Sequence, residues 1–151
     1  MRHRQAIALL ALVGFFVALY LWLHQIGVGG ELKCGTGGCD TVQASRWARF
    51  LGIPVATYGL VGYAAILIVA LAALRPAVLA RREPTLMLAA LATCGLLFTL
   101  YLTYLEFFVI HAICRWCVAS AVIITSIWIV AAFAAVAVLR GPSSPAPRTD
   151  P

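Results

Sequence analysis

Five cysteines stand at positions 34, 39, 94, 114 and 117, and four of them form two close pairs. Cys114-Arg115-Trp116-Cys117 is a CxxC placed where an apolar run begins. Residues three apart share one helix face, so the two sulfurs can bond to each other. A helix N-terminus and the adjacent Arg115 both favour a thiolate, the nucleophile of thiol–disulfide exchange. So short a loop gains little as a covalent staple but suits a redox switch. The second pair, Cys34-Gly35-Thr36-Gly37-Gly38-Cys39, is separated by three glycines and a threonine. Glycine is the residue whose ordering costs most entropy, so this segment reads as a mobile arm presenting a sulfur to two partners in turn. Cys94 is alone inside an apolar run and is expected to be a small buried hydrophobe.

The elements that must position these sulfurs follow from hydropathy. Of 151 residues, 64% are hydrophobic and 11% charged, with mean hydropathy +1.00. A soluble chain of this length cannot hide that much apolar surface. Four runs, residues 6–26, 54–74, 86–110 and 117–139, reach the ~20 residues that span a bilayer. The first follows Met-Arg-His-Arg, exceeds a signal-peptide core and lacks a small-x-small cleavage site, so it is expected to be retained. The fold class is therefore all-α integral membrane, a four-helix bundle over residues 1–140, with a Pro/Ser-rich disordered tail over 141–151.

The net charge of +6 sits between the apolar runs, which is the placement membrane topology requires and gives no pointer to nucleic acid. One side carries Arg2, Arg4, Arg75, Arg81, Arg82, Arg140 and Arg148; the other carries Lys33, Arg46, Arg49 and Arg115. The excess puts both termini in the cytoplasm and the two cysteine pairs outside, on the oxidising face of an inner (plasma) membrane.

Between the glycine arm and the second span, residues 40–54 carry helix punctuation: Asp40 as a cap, Gly52 at the end, Pro54 beyond. Ala44, Trp47, Ala48, Phe50 and Leu51 fall on one face at a period of 3.6; Ser45, Arg46 and Arg49 fall on the other, with Val42 among them. The expectation is a short extracytoplasmic amphipathic helix roofing the bundle, from which Ser45 can donate to a carbonyl below. Glu106, near the outer end of the third span, is a functional candidate by its place in the membrane; a wet helix end or a pairing with Arg115 are its other readings. His111 beside the CxxC is expected to be a solvated turn residue. Tyr58, Tyr63, Tyr101 and Tyr104 can line a pocket or pack, and Gly59 and Gly62 are expected to let helices approach closely.

On residues alone, three readings stand: a redox enzyme, a membrane metal-binding protein with a thiolate site, and a disulfide-stapled structural tetraspan. The order of the pieces adds to this. The stretch CGTGGCDTVQASRWARFLGIPVATYGLVGY from Cys34 to Tyr63, followed by CRWC, resembles the vitamin K epoxide reductase family in its bacterial quinone-reducing form. The resemblance implies a thiol–quinone oxidoreductase without metal, using menaquinone or ubiquinone as electron acceptor. It implies that Cys117 reduces the quinone and can form an adduct with it, and that Cys114 is its partner. Cys39 would exchange with Cys114, Cys34 would meet an external thioredoxin-like protein, and Ser45 would lie near the quinone. Ala121 stands where the animal enzymes carry a tyrosine, which removes support for epoxide reduction and coumarin inhibition here. No thioredoxin-like domain accompanies these motifs, so the partner is expected to be separate. Depth along the helix agrees, since Cys117 lies about 4.5 Å further from the helix start than Cys114.

Overall fold

A computed structural model of the chain describes residues 2–28, 38–79 and 81–141. Cys34 and the tail beyond 141 lie outside them. Four helices are long and apolar enough to cross a membrane: α1 (Arg2–Gln25), α3 (Val55–Ala72), α5 (Glu83–Leu105) with its continuation to Ile110, and α6 (Arg115–Arg140). Two short helices, α2 (Cys39–Ala44) and α4 (Pro76–Leu79), lie in the connections. The four spans are those that hydropathy predicts, with ends shifted by a few residues.

Local chemistry sets the ends. Gly27 (φ +82°) closes α1. There the Val28 N–H reaches back to the Leu23 carbonyl (3.0 Å) and the Gly27 N–H to that of His24 (3.0 Å), a Schellman closure. Glu83 and Pro84 open α5, where an acidic residue and a missing N–H are both tolerated or favoured.

The bundle core is built from small residues. Ala8, Ala11 and Ala18 of α1, Ala70 of α3, Ala92 of α5 and Ala131 of α6 are buried together with Ile7, Ile66, Leu88 and Ile127. In lipid there is no hydrophobic force between helices, so close backbone approach and van der Waals packing must hold them. Within the four spans the tightest glycine approaches are at Gly14, where a Cβ would overlap the Tyr63 ring, and at Gly95, where it would sit 3.0 Å from Ile124. Gly59 and Gly62, expected to serve this purpose, do not. A Cβ on Gly59 would meet Ala18 at an ordinary 3.6 Å, and one on Gly62 would meet nothing. Large side chains such as Leu9, Phe16, Ile68, Leu97 and Phe133 are exposed, as a lipid-facing surface requires.

The end of the bundle away from the cysteines is tied by Arg4. It is 5% exposed, and its guanidinium donates to the Ala73 carbonyl (2.6 Å), the Arg81 carbonyl (3.3 Å) and Thr85 Oγ1 (3.1 Å). One side chain thus satisfies the end of α3 and the start of α5. Arg4→Ala is expected to lower stability by about 2–4 kcal/mol, because it strands buried acceptors. Thermal unfolding of the detergent-solubilised protein checks this, and an unchanged midpoint would count against the role.

The roof departs from the expected single helix. α2 covers six residues, begins after Gly38 and carries Asp40 in its first turn rather than as the cap. Ser45 then turns extended (φ −67°, ψ 152°), and its hydroxyl donates to the Val42 carbonyl at 2.7 Å. A serine that bonds its own backbone competes with helix continuation. A single 3-10 turn (Arg46–Ala48) follows, then a hairpin of β1 (Arg49–Phe50) and β2 (Ile53–Pro54). Its turn residues Leu51 (φ +53°) and Gly52 (φ +81°) are both left-handed, the two-residue geometry that matches strand twist. Ala44, Phe50 and Leu51 are consequently exposed, not on a buried face, while Ala48 is buried. Gln25 at the end of α1 holds the roof through Gln43 Oε1 (2.6 Å) and the Ala48 carbonyl (3.4 Å).

Candidate functional site

At the cysteine end, α5 does not stop as an α-helix. Residues Glu106–Ile110 widen into a π turn, closed by His111 at φ +55°. The wider turn aims Glu106 inward at the start of α6, where its Oε2 accepts the Cys114 N–H at 3.3 Å. Glu106 is 5% exposed, so the wet-helix-end reading fails, and Arg115 is exposed. His111 is exposed, as expected for a turn residue. π segments are rare and concentrate at functional sites.

Cys114 caps α6 in an extended conformation (φ −92°, ψ 115°). It is fully buried together with Cys39, Leu21, Val42 and Ala56, with Trp116, Ile110 and Cys117 packed against the group. The Tyr20 and Trp116 rings, 4.9 Å apart, pack at this end of the bundle. Gly38 docks the chain onto this place: its N–H donates to the Ile113 carbonyl (3.1 Å), and a Cβ there would lie 2.8 Å from Ala112. Cys39 is disulfide-bonded, whereas Cys114 and Cys117 are free thiols. The Cys117 thiol, hydrogen-bonding to Cys114, is the largest influence on Cys114 and lowers its pKa below the ordinary thiol value. Burial and the Glu106 charge oppose this, and the backbone N–H groups of Cys117 and Trp116 assist it. The helix N-terminus thus favours the thiolate as the CxxC position predicts.

Beneath the roof lies a cavity of about 330 Å³ between α3 and α5, closed at the back by α6. Tyr58, Gly62 and Tyr63 line it from α3, Phe98 and Glu106 from the α5 side, Cys117 and Ser120 from α6, and Ser45 and Trp47 from the roof. Gly62 here gives room where a side chain would fill the space. Cys117 faces the cavity, and Cys114 does not. Glu106 touches the Cys117 sulfur as well as the Cys114 amide. Of the tyrosines, Tyr58 and Tyr63 line the cavity, while Tyr101 and Tyr104 are exposed on the outside of the bundle. Cys94 is exposed and lies at the cavity, which corrects the expectation that it is buried. Its helix faces the gap between α3 and α5, and sequence alone does not reveal that gap. Phe50, from the hairpin, packs against Tyr58 (5.9 Å) and Phe98 (6.1 Å), and the Tyr58 hydroxyl donates to the Phe50 carbonyl at 3.1 Å.

Sequence reasoning named Ser45, Glu106 and Cys117 at this site, left the four tyrosines open between lining and packing, and missed Ser120 and Phe98. Ser120 was findable, since it stands one helical turn after Cys117 and shares its face.

Four helices long and apolar enough to cross a membrane, with an apolar cavity among them that Cys117 of the CxxC lines, define a multi-pass membrane protein. The sequence model of the Vitamin K epoxide reductase family matches residues 5–132. The chain belongs to that family of membrane oxidoreductases.

Proposed function

We propose that this protein is a thiol–quinone oxidoreductase supporting disulfide-bond formation outside the cytoplasm. The observation that carries the reading is the split placement of the CxxC: Cys117 lines the apolar cavity, while Cys114 is buried with Cys39. A reduced thioredoxin-like partner attacks a loop disulfide between Cys34 and Cys39; the partner becomes oxidised and the loop becomes a dithiol. The Cys39 thiolate then attacks the CxxC disulfide at Cys114, oxidising the loop and leaving Cys114 and Cys117 reduced. In the last step the CxxC dithiol gives two electrons and two protons to a quinone, menaquinone or ubiquinone, forming quinol and restoring the disulfide. Glu106, in contact with both CxxC residues, is placed to take up a thiol proton. The apolar cavity and its place between two spans suit a lipid-soluble acceptor.

The seven-to-four division of Lys and Arg supports both termini in the cytoplasm and the CxxC outside, in an inner membrane.

The test is to supply purified protein with a reduced thioredoxin-like protein and a quinone and to follow quinone absorbance. Turnover that requires all three components supports the reading. A folded protein that never changes the quinone spectrum, with either a protein or a small dithiol donor, removes it in favour of a structural tetraspan.

Ser45 gives a finer prediction. Ser45 lines the cavity and its hydroxyl donates to the nearby Val42 carbonyl, a local bond it can exchange for a quinone oxygen at little cost. Ser45→Ala is expected to slow quinone turnover about 3–10-fold, the worth of one neutral hydrogen bond, with the thermal midpoint nearly unchanged. Equal turnover at both limiting and saturating quinone would take Ser45 out of the site.

A further inference from the structure

A quinone has two oxygens on opposite sides of its ring. Cys117, Glu106 and Ser45 line the cavity at its end toward the roof, which leaves the second oxygen to be met deeper in the bundle. The Tyr63 side chain reaches from α3 to α6 at that depth. Its hydroxyl lies 2.9 Å from the Ser120 carbonyl and 2.9 Å from Ser120 Oγ. Both residues line the cavity. Ser120 follows Cys117 by one turn, about 4.5 Å along the axis, so the pair sits below the dithiol on the same face of α6. The Tyr63 ring is 5% exposed and is seated on Gly14, where any Cβ would overlap it. This seat fixes the ring, and Ser120 orients the hydroxyl. A tyrosine in a membrane interior needs only one partner for its hydroxyl, and Tyr63 has two.

We propose that Tyr63, oriented by Ser120, donates a hydrogen bond to the quinone oxygen remote from the dithiol and stabilises the negative charge that develops there during reduction. The proposal rests on the quinone-reductase reading above. Ser120 Oγ–H can donate to the tyrosine oxygen, which frees the Tyr63 O–H to turn from the Ser120 carbonyl to a bound acceptor. The redox balance is unaltered: the two sulfurs lose two electrons and two protons, the quinone gains both, and the tyrosine is not consumed. A fixed donor in a dry site, aimed at developing charge, acts where water cannot compete.

Tyr63→Phe keeps the ring over Gly14 and removes only the hydroxyl. The purified variant is reduced with a small dithiol and mixed with an alkyl-substituted quinone, then with an electron-poor halogenated quinone. The expected result is a loss of about 100-fold in kcat/KM on the alkyl quinone, the size seen for one oxyanion donor. On the halogenated quinone, whose reduced form is a weaker base, the loss is expected to shrink below about tenfold. The thermal midpoint and the alkylation rate of Cys114 are expected to stay at wild-type values. Ser120→Ala is expected to show the same dependence on the quinone at smaller size, because Tyr63 retains the Ser120 carbonyl. Wild-type rates for Tyr63→Phe on both quinones would overturn the proposal, as would an equal loss on both, which is the mark of a structural role. A wild-type protein inert to both quinones would instead remove the underlying quinone-reductase reading and this proposal with it.

Discussion

Cys117→Ala is expected to accumulate a disulfide between Cys39 and Cys114 and to reduce no quinone, a loss of at least about 10³-fold. Each exchange step requires a free thiolate to resolve the mixed disulfide left by the one before. Cys117 is the resolving sulfur for Cys114 and the only cysteine of the CxxC that faces the cavity. Without it, the Cys114 thiolate can still attack the loop disulfide at Cys39, forming the Cys39–Cys114 bond as Cys34 leaves as a thiol, and no Cys117 thiol remains to take the bond on from Cys114. Burial of Cys39 and Cys114 in one cluster places the two trapped partners together already. The Cys117 thiol is also the main cause of the lowered Cys114 pKa. Reduced Cys114 in this variant should therefore need a higher pH for alkylation than in the intact protein, where thiolate is present below the ordinary thiol range. Mass spectrometry of non-reduced peptides identifies the joined sulfurs. Cys34 joined to Cys114 would reverse the order of the loop cysteines and leave the enzyme class intact. Normal quinone turnover by Cys117→Ala would end the mechanism.

Glu106→Gln should separate thiol acidity from turnover in opposite directions. The glutamine oxygen can still accept the Cys114 N–H that Glu106 accepts at 3.3 Å, so the turn should hold. The charge of Glu106 raises the Cys114 pKa. Removing it should therefore move Cys114 alkylation to lower pH, giving a thiol more acidic than in the unmodified protein. Quinone turnover should nonetheless fall about 10²-fold, the usual worth of a positioned general base. A site limited only by thiolate population would speed up instead. Alkylation rates across pH, paired with quinone absorbance on the same samples, distinguish the two. Faster or unchanged turnover in Glu106→Gln would show that the carboxylate serves the π turn and not proton transfer.

What could be read from the chain alone was what local chemistry encodes. Apolar runs longer than a bilayer core have no other stable solvent, so the spans were legible from composition. A CxxC at the start of an apolar run already implies two sulfurs on one face and a thiolate at a helix N-terminus, and Cys114 has that setting.

The roof was misread because its pattern fits a helix over residues 40–54. Helix periodicity says nothing of Ser45 bonding its own backbone or of Leu51 and Gly52 turning left-handed together. The π turn after Leu105 was invisible because EFFVI is an ordinary apolar helix sequence; only the need to meet α6 at Cys114 widens it. Arg4 counted simply as a charge at one end until the fold put three acceptors from two other segments around it. Cys94, expected inside, lies at a gap between α3 and α5. The cavity itself belongs to no segment. Hydropathy decides that four helices enter the membrane, but which faces meet and which stand apart depends on contacts between residues far apart in the chain. Gly14 beneath Tyr63, Phe50 between Tyr58 and Phe98, and Cys39 beside Cys114 are such contacts, and they exist only once the bundle is assembled.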